Sequence, residues 1–276
     1  MSTFLHPRPW WALLIPLLIA GCSPDLESVS SISSNEEATL SGAQTENALL
    51  ETDRGVLERD VPVWDSTLPA NPERNAYFGD LHVHTEFSML DGASRIDDVV
   101  AKALEDGQPA LGITDHGNMY GTLEFYKECR ARGIKPIIGT EAYMAHDSRH
   151  ERPARRGRMD DSGGDTDGGH KLYYHLTLLA ENDIGYRNLI QLSSLAFLEG
   201  YYYKPRIDWE LLERYSEGLI ATTGCLGGQV LQTLMRGDYD GALAKAARLQ
   251  DIFGRDNLFV ELQDHGIPEQ HETNPK

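Results

Sequence analysis

Positive charge is what this sequence has least of. Its 25 Lys+Arg stand against 43 Asp+Glu, a net charge of −18. Non-specific grip on a nucleic-acid backbone depends on clustered cations, so this balance opposes it. The one basic cluster, Arg149 through Arg158, runs straight into the acidic, Gly-rich stretch Met159–Gly169 and reads as a solvated loop, not a strong nucleic-acid patch. Cysteine is sparse as well, and three widely spaced residues offer no disulfide framework. Cys129 lies in the helix-like stretch LEFYKECRARG and is expected to be structural. Long hydrophobic runs are missing too, since Trp10–Ala20 (WWALLIPLLIA) is too short to cross a bilayer. What remains is ample for folding. At 276 residues and 40% apolar content the chain can hold one large domain, or one domain plus a tail.

The run Trp10–Ala20, preceded by Arg8 and followed by Gly21-Cys22, has the shape of a signal-peptide core. Ile19-Ala20-Gly21-Cys22 resembles a bacterial lipobox, which implies lipidation of Cys22 and an exported, membrane-anchored product; Ser23 would permit outer-membrane sorting. From Ser23 to about Arg74 the chain is rich in Ser, Glu, Asp, Asn and Thr, with few periodic apolar positions. Such a composition cannot bury enough surface to offset ordering entropy and reads as a disordered acidic tether. The expected organisation is a signal peptide over 1–22, a linker over 23–74 and a globular domain over 75–276.

From Asn75 onward, strand and helix patterns alternate. Ala76–His82 is a strand candidate, and Arg95–Asp106 a helix with Ile96, Val99, Val100 and Leu104 on one face and Gly107 as its stop. Ala110–Thr114 reads as a strand, Met119–Arg132 as a helix stopped by Gly133, and Lys135–Tyr143 as a strand. Beyond a long polar loop come strand Leu172–Leu179, helices Asn182–Leu198 and Trp209–Tyr215, strand Leu219–Thr223, helices Gly228–Met235 and Tyr239–Phe253, and strand Leu258–Leu262. Strands separated by such helices imply a parallel sheet, barrel or doubly wound. Functional residues of barrels lie at the C-terminal strand ends, where most of the chemistry-bearing residues here fall. The barrel is therefore favoured.

Those residues begin with His82-Val83-His84 and continue with Asp91, His116 in TDHGN, Glu141 in GTEAY, His175 in YYHLTLLAEN and Cys225 in TTGC. Each alone has a plainer reading: His175 a core histidine, Glu141 a loop anchor, Cys225 a small buried hydrophobe, His116 a turn residue. Their order and strand-end placement together point to a multinuclear metal site. His and Cys favour Zn²⁺, while carboxylates also admit Mn²⁺ or Mg²⁺ and can bridge two ions. In His-x-His on an extended chain both imidazoles share a face. Paired metals clamp both oxygens of a phosphoryl displacement and activate a bound water, so phosphoester hydrolysis is the natural reaction class.

The string HTEFSMLDGASRIDDVVAKALEDGQPALGITDHGNMYGTLEFYKECRARGIKPIIGTEAYMA, with YYHLTLLAENDIGYRNLIQLSS, EGYYYKPRID, ATTGCLGGQV and FVELQDHGIPEQ, resembles the PHP (polymerase and histidinol phosphatase) domain of bacterial DNA polymerase III alpha subunits over about Leu81–Lys276. The resemblance implies a PHP-type distorted (β/α)7 barrel, with His82, His84, Asp91, His116, Glu141, His175 and Cys225 at family metal positions. It also implies Zn²⁺ or Mn²⁺, a metal-activated water with Asp91 and His175 as contributors, and either 3′–5′ exonuclease activity or a structural role beside the polymerase. Its partners would be DNA and the other polymerase III holoenzyme subunits, in the cytoplasm. The family completes its site with a later Asp-x-His pair, and Asp264-His265 in the DHG motif do not replace it. The site is thus expected to be incomplete, with weak metal uptake and little exonuclease activity, and polymerase carboxylates are not expected in this chain.

The segment NPERNAYFGDLHVHTEFS instead resembles the start of a family of exported PHP-like proteins that follows a lipoprotein signal. The two resemblances exchange around His82–Ser88, so a chimeric origin at that shared string is one expectation. An exported lipoprotein with a PHP-type phosphoesterase is the alternative function. A non-catalytic stub with exposed strand edges is a further one.

Overall fold

A computed structural model describes residues 79–88, 92–156, 165–166 and 169–276. The lipobox with Cys22, the acidic linker and Asp91 lie outside them.

Helix α1 (Ile96–Glu105) buries Ile96, Val100 and Ala103, with Asp97 and Asp98 in its first turn and Lys102 in its last. Leu104, expected on the inner face, is 51% exposed, and Ala103 takes the inward place one residue earlier. Gly107 closes the helix at φ +70°, in the left-handed region. Strand β1 (Ala110–Ile113) and helix α2 (Thr122–Ala131) complete a core with α1 that includes Leu111, Ile113, Phe125 and Cys129. Cys129 is fully buried there, in keeping with a structural role, and burial pushes its thiol up to about 12.

Strand β2 (Lys135–Met144) pairs in parallel with β1. Among the described residues no helix lies between it and the next long strand, β5 (Tyr174–Ala180), and a small ribbon pairs β3 (Arg155–Arg156) with β4 (Asp165–Thr166). Strand β5 returns antiparallel to β2, from Met144↔Tyr174 to Gly139↔Leu179. It is antiparallel to β7 (Leu219–Thr222) as well, and β7 pairs in parallel with β8 (Leu258–Phe259). Short β6 (Arg206–Ile207) adds in parallel to the end of β2, giving a six-stranded sheet along the row β1-β2-β5-β7-β8. The sheet is therefore mixed, not wholly parallel as the alternation implies. This reversal brings the start of β5 level with the end of β2.

Helices α3 (Asp183–Leu198), α4 (Trp209–Tyr215) and α6 (Tyr239–Phe253) cover β2, β5 and β7 over a core that includes Leu178, Leu189, Leu192, Leu212, Ala221 and Leu249. The Asn182 side chain accepts from the Ile184 and Gly185 N–H groups to start α3, and Asp208 accepts from Leu211 to start α4. Gly185 lets α3 sit against the turn before β7, because a Cβ there would fall 1.7 Å from the Gly218 carbonyl oxygen. Helices α5 (Gln229–Met235) and α7 (Pro268–Thr273) flank the later strands.

The row curls, and chain flanking its two edges meets: His82 Nδ1 lies 2.7 Å from Glu261 Oε1. This is the mixed α/β, barrel-type arrangement of the PHP resemblance. Two expected strands are shorter or irregular. Residues 79–84 run beside β1 with an extra residue, since Gly112 and Thr114 donate to the carbonyls of Asp80 and Val83. Strand β8 ends at Phe259, leaving Glu261 beyond it. The basic cluster is not uniformly solvated either. Arg149 is buried, because Asp208, Glu199 and Glu210 all accept from its guanidinium.

Candidate metal centre

Alternation along β2 puts Glu141 and Tyr143 on one face, and their cross-strand partners Thr177 and His175 share it. Because β5 runs backwards, His175 stands near that strand's beginning and still reaches the metal-side end of the sheet. His116 follows β1 and forms an isolated bridge with Glu141. Cys225 follows β7 in a turn where Gly224 has φ +76°. The His82-Val83-His84 segment enters from the edge beside β1.

Glu141, with no exposed surface, is the hub. Its Oε1 lies 3.2 Å from His82 Nε2 and 3.2 Å from His175 Nδ1. Its Oε2 lies 3.0 Å from His84 Nε2 and 2.8 Å from His116 Nδ1. The Cys225 thiol donates to Oε1 at 3.2 Å and sits 3.4 Å from His175 Nδ1. Six of the seven metal positions implied by resemblance thus converge on one point, and the seventh, Asp91, lies outside the described residues.

Electrostatics follow from that crowding. Burial alone would raise the Glu141 carboxyl, but contacts with His116, His175, His82 and His84 hold it well below the usual carboxylate range. Burial pulls His82 down, yet Glu141 and Glu261 outweigh it and lift the imidazole to about 10. Burial pushes the Cys225 thiol up, and the Glu141 charge adds to the effect.

The donor set suits a cation better than it suits itself. His84 Nε2 and Glu141 Oε2 are both buried and, though only 3.0 Å apart, neither makes a hydrogen bond. A buried polar atom left unbonded is costly, so lone pairs that converge without pairing mark a place for a shared ion. Two groups could hold a metal ion, His82–His84–Glu141 and His116–Glu141–His175, with the donor atoms in each within 4.8 Å of one another. Glu141 belongs to both, as a bridging carboxylate would. Cys225 belongs to neither, although it touches both Glu141 and His175.

Several residues that shape the centre carry no motif of their own. Asp115, 1% exposed, accepts from Thr85 N–H, Thr85 Oγ1 and Ser88 Oγ, which ties the chain after His84 to the residue before His116. Its position in TDHGN was the available signal. Glu261 is the other. Its Oε1 faces His82 Nδ1, Thr222 Oγ1 donates to Oε2 at 2.6 Å, and Gln263 Nε2 donates to Oε1 at 2.7 Å. Burial alone would raise its carboxyl, but the His82 contact and these donors lower it overall. A carboxylate on Nδ1 keeps the proton there and leaves the Nε2 lone pair for the site. Glu261→Gln is expected to weaken metal affinity roughly 10- to 100-fold without unfolding the domain. Competition against a calibrated chelator measures this, and unchanged affinity would refute the role.

The cluster forms one wall of a cavity of about 500 Å³ whose other wall includes Gln263, His265, Ile267 and Gln270. Fold and site together define an α/β barrel-type protein with a buried histidine–carboxylate centre. The chain belongs to the PHP domain family, which matches residues 80–265. It is 48% identical over 208 residues to DNA polymerase III subunit alpha of Saccharopolyspora erythraea, covering 73% of this chain and 17% of that protein. The subunit alpha of Thermus aquaticus is 47% identical over 199 residues, 71% of this chain and 15% of that protein. The chain thus spans about a sixth of the length of these relatives. An amidohydrolase structure from Chromobacterium violaceum overlays with a TM-score of 0.35 at 14% identity, covering 66% of this chain and 84% of that one, too loosely to bear on function. Among the described residues no helix is long and apolar enough to cross a membrane.

Proposed function

We propose that this centre is a metal-dependent phosphoesterase site of the 3′–5′ exonuclease type, in a PHP domain that serves a DNA polymerase III alpha subunit. One observation carries the reading: a single buried carboxylate, Glu141, faces four imidazoles, and its Oε2 stands 3.0 Å from His84 Nε2 without a hydrogen bond between them. His82, His84 and His175 would hold Zn²⁺ or Mn²⁺ with Glu141 between the two groups, and His116 would complete the second; Mg²⁺ fits the carboxylate less selectively. Asp91 and Cys225 are proposed as further ligands on the resemblance alone. When bound, paired metals supply a water activated near neutral pH and charge for the phosphoryl oxygens. The residues themselves orient and desolvate. Glu261 fixes the His82 ring, Asp115 fixes the two segments that carry His84 and His116, and the cavity beside them admits an ester. With a net charge of −18, attraction of an anionic substrate falls to the centre itself. DNA and the other holoenzyme subunits are the proposed partners.

A second reading, an exported lipoprotein acting on small phosphoesters, is favoured by WWALLIPLLIAGC at residues 10–22. One experiment separates them. The full chain is loaded with Mn²⁺ or Zn²⁺, its metal content measured, and it is offered a 3′-labelled DNA strand and bis-p-nitrophenyl phosphate. Sub-stoichiometric uptake of metal and weak shortening from the 3′ end, both lost in His82→Ala/His84→Ala, are the expected results. Cleavage of the small diester alone would favour the exported reading. Undiminished cleavage by the double variant would rule out the centre described here.

A further inference from the structure

We propose that His265 is a substrate-binding residue: its Nε2–H, set by a clamp from Gln270, donates to a non-bridging oxygen of a phosphoester seated in the cavity. The inference rests on the phosphoesterase reading and concerns the wall opposite the metal cluster. The His265 backbone N–H donates to Gln270 Oε1 at 2.7 Å. A backbone N–H can only donate, so the orientation of the Gln270 amide is fixed by that bond. Its Nε2 is then a donor, and it stands 3.0 Å from His265 Nδ1. Nδ1 must accept. A neutral ring that accepts at Nδ1 carries its proton on Nε2, and a protonated ring would set N–H against N–H. Gln270 is 3% exposed, which holds its amide in place beneath the exposed His265 ring.

The surroundings give that hydrogen a use. His82, His84, His116, Glu141, His175 and Cys225 line one side of the cavity, and His265 lines the other. No Lys or Arg is among the described residues lining it, so histidine and amide donors are what the wall opposite the metal cluster can offer an anionic oxygen. The Gln263 amide nitrogen already donates to Glu261, and that of Gln270 to His265. The Nε2–H of His265 has no protein acceptor among the described residues. A neutral imidazole serves here as a hydrogen-bond donor, with no proton transferred. The turn that presents it is braced by Asn274 Nδ2 donating to the Gln263 carbonyl at 2.9 Å.

The test uses the full chain, with inorganic phosphate as the probe. Titration of the Mn²⁺-loaded protein by calorimetry should show phosphate binding weakened roughly tenfold or more in His265→Ala, the size expected for a lost hydrogen bond to a charged group, with metal uptake unchanged. Long-range ¹H–¹⁵N spectra without added metal should show His265 protonated on Nε2 in the parent. Equal phosphate affinity in His265→Ala, or an Nδ1 proton in the parent, overturns the proposal. Failure of the parent to take up metal would strike the phosphoesterase reading instead, and the tautomer spectra would still decide the clamp.

Discussion

Glu141→Gln is expected to abolish metal binding at the centre while the domain stays folded. The expected fall in affinity is on the order of 100-fold or more, beyond the range typical of losing an outer partner. One carboxylate supplies a donor to both candidate groups. An amide keeps one oxygen but replaces the other with a nitrogen that has no lone pair to offer. One group loses its donor outright, and both lose the negative charge that offsets two cations in a buried place. A second readout separates this from loss of fold. In metal-free protein Glu141 is held below its ordinary range by the imidazoles, so its contribution to stability is present above the unfolded carboxyl value of ~4.3 and is lost as pH falls through the lower folded value. The glutamine variant has no such group. Its urea midpoint should therefore fall less steeply from about pH 5 downward than the parent's. Chelator competition and acid-limb denaturation on the same samples check both parts. Parent-like metal affinity in Glu141→Gln would remove Glu141 from the centre of the site.

Much of this centre is legible in the sequence because its residue types are rare and their positions regular. His82, His84, His116, Glu141, His175 and Cys225 each stand in or just beyond a strand pattern, and that placement puts most of them at one end of a sheet. Less legible is what depends on direction or on distant partners. Nothing in the residues of Tyr174–Ala180 says that this strand runs backwards. Only the long polar stretch between Met144 and Tyr174, which has no apolar periodicity of a crossover helix, bears on it. A parallel β5 would carry His175, its second residue, to the opposite end of the sheet, so residue type marks it as a candidate and the reversal places it at the site. Glu261 is hidden for a different reason. It looks like one more strand residue in FVELQ, and its partner, His82, is 179 positions earlier. Arg149 looks like the first member of a solvated basic run, because charge patterning reports residue type and not the carboxylates that fold against it. In α1 Ile96 and Val100 face inward as expected, while Ala103 takes the place read for Leu104.

Arg149→Met lowers stability by about 3–5 kcal/mol, the loss expected when a buried charge is left without its partner. For a domain of this size that is roughly a 10 °C fall in Tm. The partners are unequal. Glu210 is 67% exposed and Glu199 37% exposed at the side chain, so their bonds to Arg149 are screened and add little. Asp208 decides the outcome, because it is 3% exposed and accepts from Arg149 Nη1 at 2.9 Å and from the Arg149 backbone N–H at 2.9 Å. Burial alone would ease the guanidinium's proton away, but the carboxylates prevail and hold its pKa above the ordinary arginine value. Asp208 also starts α4 by accepting from Leu211, so an uncompensated charge there disturbs a helix end as well as a pair. Arg149→Lys should fall between parent and methionine, since a single ammonium cannot serve Asp208 and Glu199 together. Arg149→Met/Asp208→Asn should recover part of the loss, because the stranded charge goes with its partner. Thermal denaturation of the four proteins measures the set, and a methionine variant within about 2 °C of the parent would contradict it. The consequence for chemistry is indirect. Arg149 pins the loop that returns the chain from β2 to β5, and the second residue of β5 is His175. Metal affinity below the transition should stay near the parent value, so a loss of affinity without a loss of Tm would show that this network positions the site instead of holding the fold.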